Sequence, residues 1–147
     1  MRPILALAIL STGILGAATR INDPETFVRD VYRRVSAGHA PPSGIYTRRL
    51  QSLFDEDQQR AKGEVGCIDF DFWIAGQDGS PKNVRVTAEN VPGQPDRRIV
   101  KARFVNETPQ EIQFEFRKVG DTWLLDDVES LLAPRWKLSK LLTCWVR

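Results

Sequence analysis

The segment Cys67–Asp78, CIDFDFWIAGQD, places acidic side chains among aromatic ones and is the part of this chain best suited to chemistry. We call it the acid–aromatic segment. Asp69 and Asp71 alternate here with three aromatic residues. A carboxylate beside aromatic walls loses hydration, which raises its pKa toward values useful for general acid–base catalysis. Asp69 or Asp71 would then be the acid or base, with Tyr32 or Tyr46 as hydrogen-bond donor.

The same carboxylates also suit a structural role, which the local sequence favours. Asp71 precedes four residues that can form a short turn, Phe72 to Ala75, before Gly76 ends it. An aspartate in that place accepts hydrogen bonds from the backbone N–H groups of the turn. We therefore predict that Asp71 caps this turn and that Phe70 and Trp73 fill the core.

A metal site is the third interpretation, and the spacing argues against it. Asp69, Asp71 and Asp78 offer the oxygen ligands that calcium prefers, but Trp73 stands where an EF-hand loop needs an oxygen donor. His39 lies between a glycine and two prolines, as expected for a surface loop. The sequence therefore predicts no metal, no cofactor and no recognisable catalytic set.

The two cysteines and the first residues indicate an exported protein. Residues 1–18 carry an early positive charge at Arg2, then an apolar run and small residues, which predicts a signal peptide cleaved near Ala18. A retained membrane anchor is the alternative, but the run is shorter than the roughly 20 residues that span a bilayer. In an oxidising compartment, such as the expected periplasm, Cys67 and Cys144 are predicted to form a disulfide.

Charge and composition narrow the class of protein. The chain has 147 residues, 41% hydrophobic and 27% charged, as in an ordinary globular protein. Its formal charge is +2, and loss of Arg2 with the signal peptide would leave +1. A nucleic-acid-binding surface needs a marked basic excess, so nucleic acid is not an expected partner.

Two helices are predicted to follow the signal peptide. The first is capped by Asp23, begins at Pro24 and ends at Gly38, because proline fits the first helical position and glycine favours the end. The second runs over about 47–61, with Thr47 as its cap. Both carry apolar residues at helical spacing.

The second half of the chain changes to the period of two that is typical of half-buried strands. Turn-rich breaks separate four such runs, about 83–89, 100–104, 112–117 and 122–126. Connections this short predict an antiparallel sheet. The tail from Pro134 predicts a short helix whose apolar stripe closes the core rather than lying on a membrane; this stripe comprises Leu138, Leu141, Leu142 and Trp145.

These elements define an α+β fold of one domain, 19–147, with N-terminal helices packed on a curved antiparallel sheet and a short C-terminal helix. The order of elements, together with DFDFWIAGQD and GDTWLLDDV, resembles an exported bacterial family, the domain of unknown function 3828. The resemblance covers about 24–128 and implies a fold similar to the cone-shaped α+β fold of nuclear transport factor 2. Phe72 departs from the proline common in that family. The residues that match its first motif are Asp69, Asp71, Gln77 and Asp78.

The resemblance implies export but no established activity, so three functions are weighed. The first is a periplasmic module that binds a small molecule or a protein without catalysis, with Tyr32, Trp73 and Gln77 as candidate ligand contacts. The second is a small isomerase- or hydratase-like enzyme that uses Asp71 or Asp69. The third is an envelope accessory or immunity-type protein. The lack of a catalytic set favours binding.

Overall fold

The structure is a computed structural model that describes residues 19–146. The predicted signal peptide, residues 1–18, lies outside the described residues. Two helices come first, then four strands and a short helix, which confirms the predicted α+β class. The elements are α1 Pro24–Ser36, α2 Arg48–Ala61, β1 Lys82–Val91, β2 Gln94–Asn106, β3 Thr108–Val119, β4 Thr122–Ser130 and α3 Leu138–Leu141.

Both N-terminal helices begin at the residues the sequence indicates. The side chain of Asp23 accepts a hydrogen bond from the backbone N–H of Thr26 at 2.9 Å, ahead of Pro24 in the first helical position. The hydroxyl oxygen of Thr47 accepts the N–H of Leu50 at 3.3 Å. These side chains satisfy backbone donors that the first helical turn leaves without an intrahelical partner.

The four strands form an antiparallel meander in the order β1-β2-β3-β4. One face of the sheet packs against the helices, and alternate residues of the central strands on that face are buried. The most buried of these are Val100, Ala102, Phe104, Ile112, Phe114 and Phe116, each at most 3% exposed. The period of two in the sequence thus identified the core face correctly.

Strand β4 is irregular and its outer edge is covered. Its register against β3 shifts by one residue, which leaves Asp126 as the extra residue of a bulge. Segments before and after the sheet bond to this edge: the N–H of Leu125 donates to the carbonyl of Ile45 at 2.8 Å, and the N–H of Ser130 donates to that of Trp136 at 2.9 Å. Such cover removes a free strand edge that could pair with another chain.

The C-terminal helix is shorter than predicted and begins later, so its predicted start near Pro134 is wrong. The backbone of Lys137 pairs with that of Glu129, which keeps the chain extended along β4 until α3 begins at Leu138. Leu138 and Leu142 are buried in the core, as predicted, but Leu141 is half-buried and Trp145 is 37% exposed, so only part of the predicted stripe closes the core. Among the described helices, none combines the length and apolar character needed to span a bilayer.

Candidate functional site

The acid–aromatic segment folds into a tight turn between α2 and β1. The backbone N–H of Asp71 donates to the carbonyl of Gly76 at 2.9 Å, and the reverse bond is 3.3 Å. Inside this loop, Oδ1 of Asp71 accepts the N–H of Trp73 at 2.8 Å. The predicted capping role of Asp71 is confirmed, and residues 72–75 form the predicted turn.

Side chains from distant elements fasten the turn to the fold. The hydroxyl of Tyr32, on α1, donates to the carbonyl of Trp73 at 2.7 Å. The amide of Asn106, at the end of β2, donates to the carbonyls of Ile74 at 3.0 Å and Asp78 at 3.1 Å. The turn is therefore held in place without belonging to the sheet.

The aromatic residues of the segment join the core to differing extents. Trp73 is 1% exposed, and its ring stacks on Phe114 of β3 with centroids 4.7 Å apart, so its predicted place in the core is confirmed. Phe72 is also buried. Phe70 is half-buried and contacts Trp136 edge-on at 5.2 Å, so it borders the core rather than filling it.

A cleft of about 250 Å³ lies between α2 and the acid–aromatic segment. Tyr46 and Phe54 form part of its wall, with ring centroids 4.9 Å apart. It is below the roughly 300–1,000 Å³ of sites for drug-sized ligands, so it suits a small one. We call it the aromatic cleft; its lining residues are Pro41, Tyr46, Phe54, Asp57, Gln58, Ile68, Phe70, Asp71, Phe72 and Trp73.

Asp71 gives the cleft a half-buried carboxylate. Loss of hydration raises its pKa, and the backbone N–H groups of Trp73 and Ile74 offset only part of that rise. Burial and the negative charge of Asp71 raise the pKa of Tyr46 to about 12. At neutral pH the phenol of Tyr46 is therefore protonated and lies in the same cleft as the Asp71 carboxyl group.

The predicted disulfide between Cys67 and Cys144 is confirmed, with Cα atoms 5.7 Å apart across 77 residues of sequence. It ties the start of the acid–aromatic segment to the C-terminal tail. Asp57 lies beside it, and its Oδ1 accepts the N–H of Cys67 at 2.9 Å and the indole N–H of Trp145 at 2.7 Å. A side chain at Gly66 would collide with this carboxylate, so only glycine lets the backbone approach.

The described chain brings one set of carboxylate and sulfur atoms within metal-binding distance, those of Asp57, Cys67 and Cys144. Both sulfur atoms belong to the disulfide, so they are not metal ligands in this state. Asp69, Asp71 and Asp78 do not converge in the same way within the described residues. The geometry therefore offers no support for the calcium interpretation.

A second group of acids lies at the bulge of β4, and we call it the β4 acid cluster. Asp126 accepts the hydroxyl of Thr47 at 2.8 Å and pairs with Arg49 at 3.4 Å. Asp127 is 3% exposed and accepts the hydroxyl of Ser139 at 2.6 Å. Burial raises the pKa of Asp126, but the Thr47 hydrogen bond and the charge of Arg49 together bring it below its usual value.

The structure separates the residues that the sequence proposed as a site. Asp71 and Trp73 line the aromatic cleft. Tyr32 is buried behind Trp73, and its hydroxyl is engaged by the Trp73 carbonyl. Asp69 and Gln77 are exposed and do not line the cleft.

Sequence reasoning missed the opposite wall of the cleft. Phe54 is one of the apolar residues of α2, and Asp57 follows it one turn later. The available signal was the acidic residue Asp57 on the apolar face of α2. A buried acid needs hydrogen-bond partners, so its position predicts a polar contact there. Asp57 is indeed 8% exposed.

Larger hollows elsewhere in the described residues are weaker candidates. A hollow of about 400 Å³ surrounds the exposed β1–β2 turn at Pro92 and Gly93, and two more lie elsewhere on the fold. One, of about 360 Å³, lies between α1 and β1, but its residues Arg29 and Arg33 are already paired with Glu25 and Asp30. The other, of about 500 Å³, is a shallow area over β1–β3 with mostly half-buried or exposed lining residues. None of them has the aromatic lining of the aromatic cleft.

The fold and the cleft define a small, disulfide-bonded α+β protein with an aromatic cleft beside its sheet. Comparison with known proteins found no match: no family model fits the chain, and no curated protein or solved structure is significantly similar to it.

Proposed function

We propose that this protein is an exported binding module that holds a small ligand in the aromatic cleft without catalysing a reaction. The observation that carries the proposal is the concave aromatic lining with a carboxylate at one side. Sites for small ligands are typically apolar clefts with a few placed polar groups.

The cleft is also held in shape before any ligand binds. The Asp71–Gly76 backbone pair closes the turn, Tyr32 binds the carbonyl of Trp73, and the disulfide holds Cys67. A site already fixed in its binding shape loses less conformational entropy when a ligand enters. This preorganisation supports a ligand-binding function for the acid–aromatic segment.

Trp73, which lines the cleft, also has a buried donor. The indole Nε1 of Trp73 is buried, and no acceptor contacts it within residues 19–146. Buried polar atoms are nearly always hydrogen-bonded, so an unpaired one calls for a specific explanation.

Catalysis by Asp71 or Asp69 is less favoured. One oxygen of Asp71 is engaged by the N–H of Trp73, as a structural role requires, and Asp69 is exposed outside the cleft. The phenol of Tyr46, with a pKa of about 12, is a poor acid or base near neutral pH. The lining contains no nucleophile activated by a neighbouring base.

The compartment and the family remain part of the proposal. A disulfide supports export to an oxidising compartment, and we propose the periplasm. Two helices followed by a meander are compatible with a cone-shaped fold like that of nuclear transport factor 2 and with membership of the domain of unknown function 3828. An envelope role through the apolar C-terminal stripe has less support, because Leu138 and Leu142 are buried.

The proposal is tested by a fragment screen with amide NMR on the oxidised protein. Binders should shift the amides of Ile68 to Trp73 first. Phe54→Ala removes a lining ring and should weaken those binders, whereas Leu53→Ala, at a half-buried α2 position outside the lining, should not. Binders that map only to other surfaces, or no binders at all, would contradict the proposal.

A further inference from the structure

We infer that the ligand of the aromatic cleft is a small organic cation, an alkylated ammonium ion. This inference rests on the proposed function and specifies its ligand class.

The distribution of ion pairs carries the inference. In the described chain, eight of the ten buried or half-buried acids have a Lys or Arg nitrogen within 4.0 Å. The two without one are Asp57 and Asp71, and both line the aromatic cleft. The lining contains no Lys, Arg or His. The cleft therefore has two carboxylates and no positive side chain of its own, which favours a cationic ligand.

The aromatic rings select the kind of cation. Tyr46, Phe54 and Phe70 are half-buried, so each keeps accessible ring surface within the cleft. A cation over an aromatic face is attracted by the ring quadrupole, and this attraction grows when water is removed. An alkylated ammonium presents methyl groups to the rings while its charge remains near the carboxylates.

A metal cation fits the cleft less well. Calcium takes six to eight oxygen ligands at short range. Asp57 and Asp71 do not converge with a third acid in the described residues, and most of the lining is aromatic or aliphatic. Oδ1 of Asp57 already accepts two N–H donors, so its negative charge acts at a distance rather than through direct coordination.

Choline and its neutral isostere 3,3-dimethylbutan-1-ol test the charge directly, because they share shape and hydroxyl group. We expect choline to bind the oxidised protein about fivefold more tightly, which corresponds to about 1 kcal/mol, the contribution of one ion pair. Both probes should shift the amides and the indole N–H around Trp73. Asp71→Asn keeps the oxygen that accepts the Trp73 N–H and should remove most of the preference. Asp69→Asn, an exposed neighbour outside the lining, should retain it.

The outcomes separate this inference from the proposed function. Equal binding of both probes in the cleft would overturn the cation assignment and leave the binding function intact. Tighter binding of Nα-acetyl-lysine amide than of choline would overturn the small-ligand assignment in favour of a lysine side chain from a partner protein. If neither probe shifts cleft residues at millimolar concentration while other fragments do, the cation inference is wrong. If no fragment binds there, the proposed function is wrong too.

Discussion

The aromatic cleft and the β4 acid cluster use carboxylates in opposite ways. Asp126 is half-buried, yet Thr47 and Arg49 contact it and lower its pKa. Asp71 is also half-buried, but its partners are neutral backbone N–H groups and its pKa is raised. Asp126 thus has a positively charged partner, Arg49, whereas Asp71 has none among the described residues. An uncompensated charge at the wall of a concave site is a common feature of functional positions.

Breaking the disulfide should disturb the aromatic cleft and leave the β4 acid cluster intact. Of the changes predicted here, it should reduce stability most. Replacing both Cys67 and Cys144 with alanine should cost about 2–5 kcal/mol of unfolding free energy, because the unfolded chain gains freedom. Choline binding should fall sharply, since Cys67 adjoins Ile68 of the cleft wall. Urea unfolding and calorimetric titration measure the two effects. Undiminished binding would show that the disulfide does not hold the cleft.

The β4 acid cluster should matter more to stability than the cleft carboxylate. Asp127→Ala leaves the hydroxyl and N–H of Ser139 without their acceptor and removes a partner of Lys137. Hydrogen bonds to charged groups are each worth about 1.5–3 kcal/mol, so a loss of about 3 kcal/mol is expected. Asp71→Asn should change stability by less than about 1 kcal/mol. Chemical unfolding of the two variants provides the comparison, and equal losses would refute it.

The two carboxylates should also respond to pH in opposite directions. Because the folded pKa of Asp71 is raised above its ordinary value of 3.8, its contribution to stability falls as pH rises through the window between these values. The folded pKa of Asp126 is lowered, so its stabilising contribution is present above 3.8 and is lost as pH falls through the folded value.

Subtracting the unfolding free energies of Asp71→Asn and Asp126→Asn from those of the wild type, across acidic pH, isolates these contributions. Asparagine retains an acceptor oxygen at both positions, so each variant is a control for the other. The two difference curves should slope in opposite directions. Slopes of the same sign would contradict the opposite pKa shifts of Asp71 and Asp126.

The smallest effect should come from the outer surface of the segment. Asp69→Asn and Gln77→Ala change exposed residues, so stability should change by no more than about 0.5 kcal/mol. Fragment and choline binding should be unchanged. A clear loss of binding in either variant, measured by amide NMR, would extend the site beyond the aromatic cleft.

Local signals in the sequence predicted the frame of the fold well. The caps at Asp23 and Thr47 and the alternating strands depend on neighbouring residues, so the sequence carries them directly. The start of the last helix was predicted too early. In the folded chain the backbone of Lys137 pairs with that of Glu129, and this tertiary contact keeps the chain extended just before Leu138.

Only some residues of the aromatic cleft could be predicted from the sequence, for a related reason. Asp71 and Trp73 belong to one motif, but Phe54 and Asp57 come from α2 and enter the site through tertiary packing. The burial of Asp57 depends on Cys67 and on Trp145, which lies 88 residues away. No local pattern encodes contacts of that range.

The most direct test of the central claim is the pKa of the Asp71 carboxyl group, measured by carbon-detected NMR with and without saturating choline. We predict a value above 3.8 in the free protein and a decrease when choline binds, because a nearby cation favours the ionised form. A free value at or below 3.8, or a pKa that choline leaves unchanged, would contradict the account.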